Sequence, residues 1–225
     1  HVARGDVFYS PDVFPRAVIE AARKGLYARW REAGVRVHFM VHDVLPVLHP
    51  EFFPPGADLE FADWLRTIGR EADGLVCISA AVANETRDWL LADAPGRTLP
   101  QLAVLHHGAD ISASQPSRGL PADADAVLAD LRSAPTFLMV GTVEPRKGHL
   151  QALDAFEALW SQGLDVRLAI VGGEGWKGLP DGARRTIPAL VKRLQRHPEL
   201  NRRLYWLQGI SDEYLDQVYA ASSCL

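Results

Sequence analysis

The chain has 225 residues, 48% hydrophobic and 23% charged, which is the balance of a globular protein with one large or two small domains. Its net charge of −4 argues against a nucleic-acid-binding protein, since such proteins usually carry a basic excess. The two cysteines, Cys77 and Cys224, lie in apolar runs, where we expect them to be buried thiols of a reducing cytoplasm. No apolar run reaches the ~20 residues that a membrane-spanning helix needs.

Short apolar runs alternate with helical patterns in the first half of the chain. The predicted strands span 6–9, 35–41, 74–78 and 102–106, and the predicted helices span 15–34, 58–72 and 79–91. Pro15 suits a helix start, Gly34 suits a helix end, and Ser79 suits an N-cap. The segment 44–56 holds too many prolines for a regular element and is predicted to be a loop.

The same alternation resumes after a Ser/Pro/Gly-rich passage at 111–121, where we place the domain boundary, between residues 112 and 113. The predicted strands of this half span 136–140, 165–171 and 203–208. The predicted helices span 123–131, 148–162, a stretch from near Ile187 to 197, and a segment capped by Ser211. Strands that recur every ~30 residues with helices between them indicate βαβ units. We therefore predict an α/β protein with two doubly wound parallel sheets. Both chain ends look cut, so we expect a fragment of each domain.

The turn after the strand at 136–140 carries Gly141, Arg146, Lys147 and Gly148. A helix N-terminus attracts anions, and two adjacent cations add full positive charge, so a phosphate or diphosphate is the natural ligand. The turn is not a G-x-x-x-x-G-K-[ST] loop, because Lys147 precedes the second glycine. The alternative is that both cations are solvated surface charges. Ligands of parallel sheets bind at the carboxyl ends of strands, and this position favours the phosphate hypothesis.

Two further strand exits carry candidate groups. Gly172 and Gly173 follow the strand at 165–171, where they either admit a ligand or only form the turn. In the first half, His42 and Asp43 follow the strand at 35–41, where an imidazole could polarise a hydroxyl or could only pin the following proline loop. His38, His42, Asp43 and His49 lack the compact spacing of a zinc site, so we expect no metal.

In their order and spacing, these stretches resemble the retaining nucleotide-sugar glycosyltransferases of family 4, which have the GT-B fold. The landmarks are the segments 140–148, 169–175 and 207–222 in the second half, and 41–46, 50–51, 77–81 and 107–110 in the first. The similarity covers nearly the whole chain. It is closest to mannosyltransferase-like members that build bacterial surface polysaccharide.

The resemblance implies two Rossmann-like domains that face a cleft: an acceptor-side domain at 1–112 and a donor-binding domain at 113–225. It assigns diphosphate binding to the turn residues Gly141, Thr142, Arg146, Lys147, Gly172 and Gly173, nucleobase binding to Gly209 and Ile210, and catalysis to His42 and Asp43. Thr142 stands where the family usually has an arginine, and Arg146 could replace that charge. The family's Glu-x7-Glu segment would lie beyond residue 225.

The implied partners are a nucleotide diphosphate sugar and a glycan or lipid-linked saccharide acceptor. The implied reaction transfers a hexose, with mannose as the leading guess, with retention and without a metal or other cofactor. We expect a cytoplasmic protein, and association with the inner face of the membrane stays open. A GT-B sugar-nucleotide epimerase and a non-catalytic domain pair that binds nucleotide sugar or glycan remain alternatives.

Overall fold

Parallel strands joined by helices build both halves of the computed structural model, which describes residues 2–108 and 118–225. The chain divides into two compact units, residues 1–109 and 110–225. The predicted boundary between residues 112 and 113 lies outside the described residues.

The first unit is a four-stranded parallel sheet in the order β1-β2-β3-β4. Its elements are β1 (Val7–Ser10), α1 (Pro15–Arg23), α2 (Leu26–Glu32), β2 (Arg36–Val41), α3 (Leu45–Leu48), a 3-10 turn (Pro50–Phe52), α4 (Ala57–Glu71), β3 (Gly74–Cys77), α5 (Ala80–Asp93) and β4 (Gln101–Val104). Phe39 of β2, Trp64 of α4 and Leu75 of β3 are fully buried in its core. Ser79 caps α5 as predicted, since its hydroxyl accepts from the Val82 amide at 3.2 Å.

The second unit has a three-stranded parallel sheet in the order β5-β6-β7. Its elements are α6 (Ala124–Ser133), β5 (Thr136–Val140), a 3-10 turn (Pro145–Lys147), α7 (His149–Ser161), β6 (Arg167–Val171), a 3-10 turn (Asp181–Ala183), α8 (Ile187–Gln195), β7 (Leu204–Leu207) and α9 (Asp212–Ala221). Every residue of β6 is buried, because helices cover both faces of the sheet. One core cluster contains Leu168 and Ile170, and the other contains Ala169 and Val171.

The chain also returns to the free edge of β5. Cys224, which follows α9, forms a parallel bridge with Phe137, and the Leu138 amide donates to the Cys224 carbonyl at 2.8 Å. β5 therefore has β6 on one side and the segment after α9 on the other. The strand order reverses at β5, and such a switch point is where open α/β sheets bind ligands.

Three sequence predictions need correction. The helix predicted over 15–34 is two helices, because Gly25 adopts a φ of 68° between them and ends the first. The proline-rich loop contains α3 and a 3-10 turn, since Pro46 and Pro50 occupy first-turn positions, where proline is tolerated. Cys224 is exposed, while Cys77 is buried as expected.

No helix among the described residues is long and apolar enough to cross a bilayer.

Candidate functional site

The loops that leave β5 and β6 run side by side as an extension of the strand pairing. The Gly141 amide donates to the Val171 carbonyl at 2.8 Å, and the Val143 amide donates to the Gly173 carbonyl at 2.9 Å. A Cβ built on Gly172 would lie 2.0 Å from the Gly141 oxygen. Glycine is therefore required at Gly172 by a backbone contact, and the two glycine turns form one surface at the carboxyl ends of the strands.

Lys147 reaches back over this surface. A Cβ built on Gly141 would lie 3.5 Å from Lys147 Cε and 3.7 Å from Nζ. The side chain is exposed, and its ammonium has no carboxylate partner in the part of the chain that the structure describes. The sequence prediction brought Lys147, Gly141, Gly172 and Gly173 together, and the structure does the same.

Arg146 and Thr142 differ from Lys147 in their surroundings. Arg146 Nε is 3.1 Å from a Glu144 carboxylate oxygen, so its charge is already balanced by a neighbour in the same turn. Thr142 is exposed in the same loop. The suggestion that Arg146 replaces the arginine missing at Thr142 stays a prediction. It requires the Arg146 guanidinium to break its ion pair with Glu144 or to bind Glu144 and the diphosphate at the same time.

A cavity of about 380 Å³ lies at the switch point, beside the carboxyl half of β5. Its lining residues come from β5, the start of α7, the end of α9 and the last residue of the chain: Leu138, Met139, Val140, Lys147, His149, Tyr219 and Leu225. The N-terminus of α7, with its partial positive charge, begins at His149 beside this cavity. Free cation and helix N-terminus together favour an anion here.

Sequence reasoning missed His149, to which it assigned no role. The residue follows Gly148, which adopts a φ of 72° and turns the chain into α7. His149 is only 1% exposed. Burial lowers the pKa of His149, a hydrogen bond with the Glu144 backbone opposes that shift, and the charge of Lys147 adds to it.

Gly209 and Ile210, the predicted nucleobase residues, line a second cavity of about 460 Å³ in the same unit. They follow β7, and Ser211 next to them caps α9 and donates to the Gly119 carbonyl at 2.8 Å. They are absent from the lining of the Lys147 cavity. Their role stays a prediction.

A larger cavity of about 700 Å³ contains Trp160 near the end of α7 and Lys192 and Arg196 near the end of α8. α7 begins after the carboxyl end of β5 and runs antiparallel to it before β6, so its last turn lies toward the amino ends of the strands. This larger cavity therefore lies toward the amino ends of the strands and is not the ligand site, because open parallel sheets bind ligands at the carboxyl ends of their strands.

In the first unit, His42 and Asp43 leave the carboxyl end of β2 and are held by hydrogen bonds. His42 Nε2 donates to the Pro11 carbonyl at 2.8 Å, since a carbonyl can only accept, and His107 Nε2 is 3.4 Å from His42 Nδ1. The Leu45 amide donates to Asp43 Oδ1 at 3.0 Å. His42 thus ties β2 to the loop after β1 and not to the proline loop that follows it. Its catalytic role and that of Asp43 stay predictions.

No group of three or more His, Cys, Asp and Glu side chains within residues 2–108 and 118–225 is arranged to hold a metal ion. The expectation that the reaction needs no metal is not tested by this observation.

With this geometry in view, the chain can be compared with known proteins. The family described as "Glycosyl transferases group 1" matches residues 127–225, which contain β5 to β7 and the Lys147 turn. This match covers less than half of the chain, and it shows that these residues are similar to the group 1 glycosyl transferases. The resemblance drawn from the motifs, to a mannosyltransferase-like glycosyltransferase with the GT-B fold, is confirmed.

The similar proteins include serotype-specific mannosyltransferases named WbdA from Escherichia coli. One is 43% identical over 198 residues, which is 87% of this chain and 23% of that protein. Another is 44% identical over 198 residues, with the same two shares. The chain therefore spans less than a quarter of the length of these curated relatives.

A solved structure supports the fold. The α,α-trehalose 6-phosphate synthase of Burkholderia multivorans matches with a TM-score of 0.60 and 14% identity, over 96% of this chain and 49% of that one. At this low identity the similarity concerns the fold alone.

Proposed function

We propose that the chain is part of a retaining glycosyltransferase that moves a hexose, with mannose first among the candidates, from a nucleotide diphosphate sugar to an acceptor hydroxyl in polysaccharide synthesis. The acceptor is a glycan or a lipid-linked saccharide. The similarity to mannosyltransferases over 87% of the chain supports the sugar and the process. Retention rests on the family resemblance.

One observation carries the proposal: Lys147 is a cation without a carboxylate partner among the described residues, and its side chain lies over Gly141 at the carboxyl end of β5. A nucleotide diphosphate sugar carries its negative charge on the diphosphate. The ammonium of Lys147 and the first-turn amide groups of α7, which have no acceptor within a helix, are suited to bind that charge.

The same groups suit the chemical step. When the bond between the anomeric carbon and the phosphate oxygen breaks, its electron pair stays with the diphosphate. The acceptor oxygen forms the new bond to carbon, and the proton of the acceptor hydroxyl passes to the departing diphosphate. Positive groups fixed beside the leaving oxygen lower the barrier because the charge there grows in the transition state. In this proposal Lys147 supplies the main charge, and no metal is required. Gly141, Gly172 and Gly173 let the backbone approach the phosphates.

The remaining assignments follow the family resemblance. Gly209 and Ile210 take the nucleobase, and His42 acts near the transferred sugar. A lipid-linked acceptor would bring the protein to the inner face of the membrane, so peripheral association there is part of the proposal.

Replacing Lys147 with methionine tests the proposal, because methionine keeps much of the side-chain length and removes the charge. Charge-assisted hydrogen bonds contribute about 1.5–3 kcal/mol, so we expect the affinity for a nucleoside diphosphate to fall about 10- to 100-fold. Calorimetric titration with GDP, UDP and ADP measures the affinity and identifies the preferred base.

Lys192→Met is the matched control. Lys192 is an exposed lysine of the same unit, without an ion-pair partner among the described residues. It lies in α8 and lines the cavity near the last turn of α7, whereas Lys147 precedes the first turn of α7. We expect its affinity to equal that of the unchanged chain. Equal loss in both variants would mean that the nucleotide responds only to net charge, and no loss with Lys147→Met would return Lys147 to the role of a solvated turn residue.

A further inference from the structure

His42 joins three loops of the first unit at the carboxyl edge of its sheet. It follows β2, while Pro11 follows β1 and His107 lies shortly after β4. His42 Nε2 is 2.8 Å from the Pro11 carbonyl, and His42 Nδ1 is 3.4 Å from His107 Nε2. β3 separates β2 from β4 in the sheet, so the two histidines meet although their strands lie about 10 Å apart.

His107 offers two things to His42. One is a nitrogen at 3.4 Å, which is long for a hydrogen bond and so contributes orientation more than stability. The other is a flat ring, which lies 26° from parallel to the His42 ring with the two centroids 5.4 Å apart. The two contributions can be separated by substitution.

The contacts determine where the proton lies on a neutral His42 ring. A carbonyl oxygen only accepts, so His42 Nε2 carries the proton that is donated to Pro11. A neutral imidazole has one N–H, and His42 Nδ1 is therefore an acceptor. His107 Nε2 is then the donor of the second hydrogen bond. The protein thus occupies both ring nitrogens of His42 and fixes its tautomer.

This arrangement suits a ring that is held in place and not one that carries a proton. A general base needs a nitrogen within reach of the proton that it takes, and the lone pair of His42 Nδ1 is already used. The proposed reaction does not need that base, because the proton of the acceptor hydroxyl passes to the departing diphosphate. A ring of fixed orientation can still position the sugar.

We propose that His107 is a positioning residue, which together with the Pro11 carbonyl fixes the orientation and the tautomer of His42 beside the transferred sugar. This inference rests on the proposed function, in which His42 acts near that sugar. His107 contacts His42 and acts through it. The Pro11 contact comes from the backbone, so the side chain of His107 is the part of the arrangement that substitution tests.

Two variants separate the nitrogen of His107 from its ring. His107→Phe keeps a flat ring and removes the donor, whereas His107→Gln keeps a side-chain N–H donor and removes the ring. In the glycosyltransferase that contains this chain, we expect His107→Phe to lower kcat about three- to tenfold, as for the loss of one hydrogen bond, with little change in the KM for the donor sugar. His107→Gln should recover most of the lost kcat.

His106→Phe is the matched control. His106 is the neighbouring exposed histidine, without a hydrogen bond or ring contact among the described residues. We expect its kcat to equal that of the unchanged protein. All three variants should unfold in urea like the unchanged chain, because exposed side chains of this kind contribute little to stability.

Ring nitrogen signals in NMR spectra of the chain report the tautomer directly. At about pH 8.5, where histidine is ordinarily neutral, His42 should show a protonated Nε2 and an unprotonated Nδ1. In His107→Phe the Nδ1 signal should move toward that of a free acceptor nitrogen, and in His107→Gln it should stay. A merely structural role of His107 would not move this signal.

The outcomes distinguish the inference from the proposed function. A mixture of His42 tautomers in the unchanged chain overturns the inference, and this result does not depend on whether a variant folds. Unchanged transfer by His107→Phe, or equal losses in His107→Phe and His107→Gln, also overturns it, while the proposed function stands. If the unchanged protein transfers no hexose, the proposed function fails and the inference fails with it.

Discussion

Gly172→Ala is expected to destabilise the second unit by about 3 kcal/mol and to abolish diphosphate binding. The steric overlap and the backbone strain at this position both raise the free energy of the folded state. The new Cβ would lie 2.0 Å from the Gly141 oxygen and 2.5 Å from the Gly141 carbonyl carbon. Gly172 also has a φ of 153°, which an alanine rarely adopts. Neither contact atom is the end of a flexible side chain, so the loops after β5 and β6 must separate.

The loss of binding follows from that separation. Lys147 lies over Gly141, and a shift of the Gly141 backbone moves the surface on which the Lys147 side chain rests. Urea unfolding measures the change in stability, and calorimetric titration with pyrophosphate measures the change in binding.

Gly173→Ala provides a control one residue away. No heavy atom lies within 4 Å of a Cβ built on Gly173, and we expect a change within about 0.5 kcal/mol in the free energy of unfolding, as at an ordinary surface position. If both variants were equally destabilised, the close contact between Gly172 and Gly141 could not be the reason. If Gly172→Ala bound pyrophosphate normally, the pairing of the two glycine turns would have no part in the site.

The parallel strands and their helices could be predicted because their signals are local. The apolar runs over β5 and β6 are bounded by glycine, and Ser79 and Ser211 cap helices in the way that their side chains favour. The same locality explains the errors. Whether Gly25 interrupts a helix depends on its φ, which the sequence does not give. The apolar residues keep their helical spacing across Gly25, so the pattern predicted one helix.

The candidate site could be predicted only in part. Lys147, Gly141 and Gly172 follow strands, and the rule that ligands bind at carboxyl ends was sufficient to group them. The backbone contact between Gly141 and Gly172 is a tertiary contact, and the sequence of neither turn predicts it by itself. His149 gave no signal because its burial at the start of α7 depends on tertiary packing, which cannot be seen before the fold is known.

Asp130→Asn is expected to destabilise the second unit by about 2–3 kcal/mol, because it leaves a buried guanidinium without its counter-charge. Arg167 begins β6 and donates to both carboxylate oxygens of Asp130, at 2.8 and 2.9 Å. The Tyr205 hydroxyl of β7 donates to the same carboxylate. The Arg167 side chain is 10% exposed and that of Asp130 is 37% exposed, so the expected loss lies below the value for a fully buried pair.

Asp165→Asn is the matched control, since Asp165 is the other carboxylate near Arg167. It lies 3.5 Å from the guanidinium and is 73% exposed, and exposed pairs contribute little, so we expect a change below about 0.5 kcal/mol. Urea unfolding at pH 7 compares the two variants. Equal effects would show that Arg167 responds to the total negative charge nearby and not to the two-point contact with Asp130.

The pH dependence gives an independent check. The hydrogen bond from Arg167 lowers the pKa of Asp130, burial opposes this shift, and the Tyr205 hydroxyl supports it. A carboxyl whose pKa is lower in the folded state stabilises the fold fully above its unfolded pKa of about 3.9, and it loses that contribution as the pH falls through the folded value. The difference between the unchanged chain and Asp130→Asn should therefore be constant between about pH 5 and 8 and shrink below about pH 4. A difference that does not shrink below about pH 4 would assign the effect to shape or to the Tyr205 contact, and the ion pair would not be what joins α6 to β6.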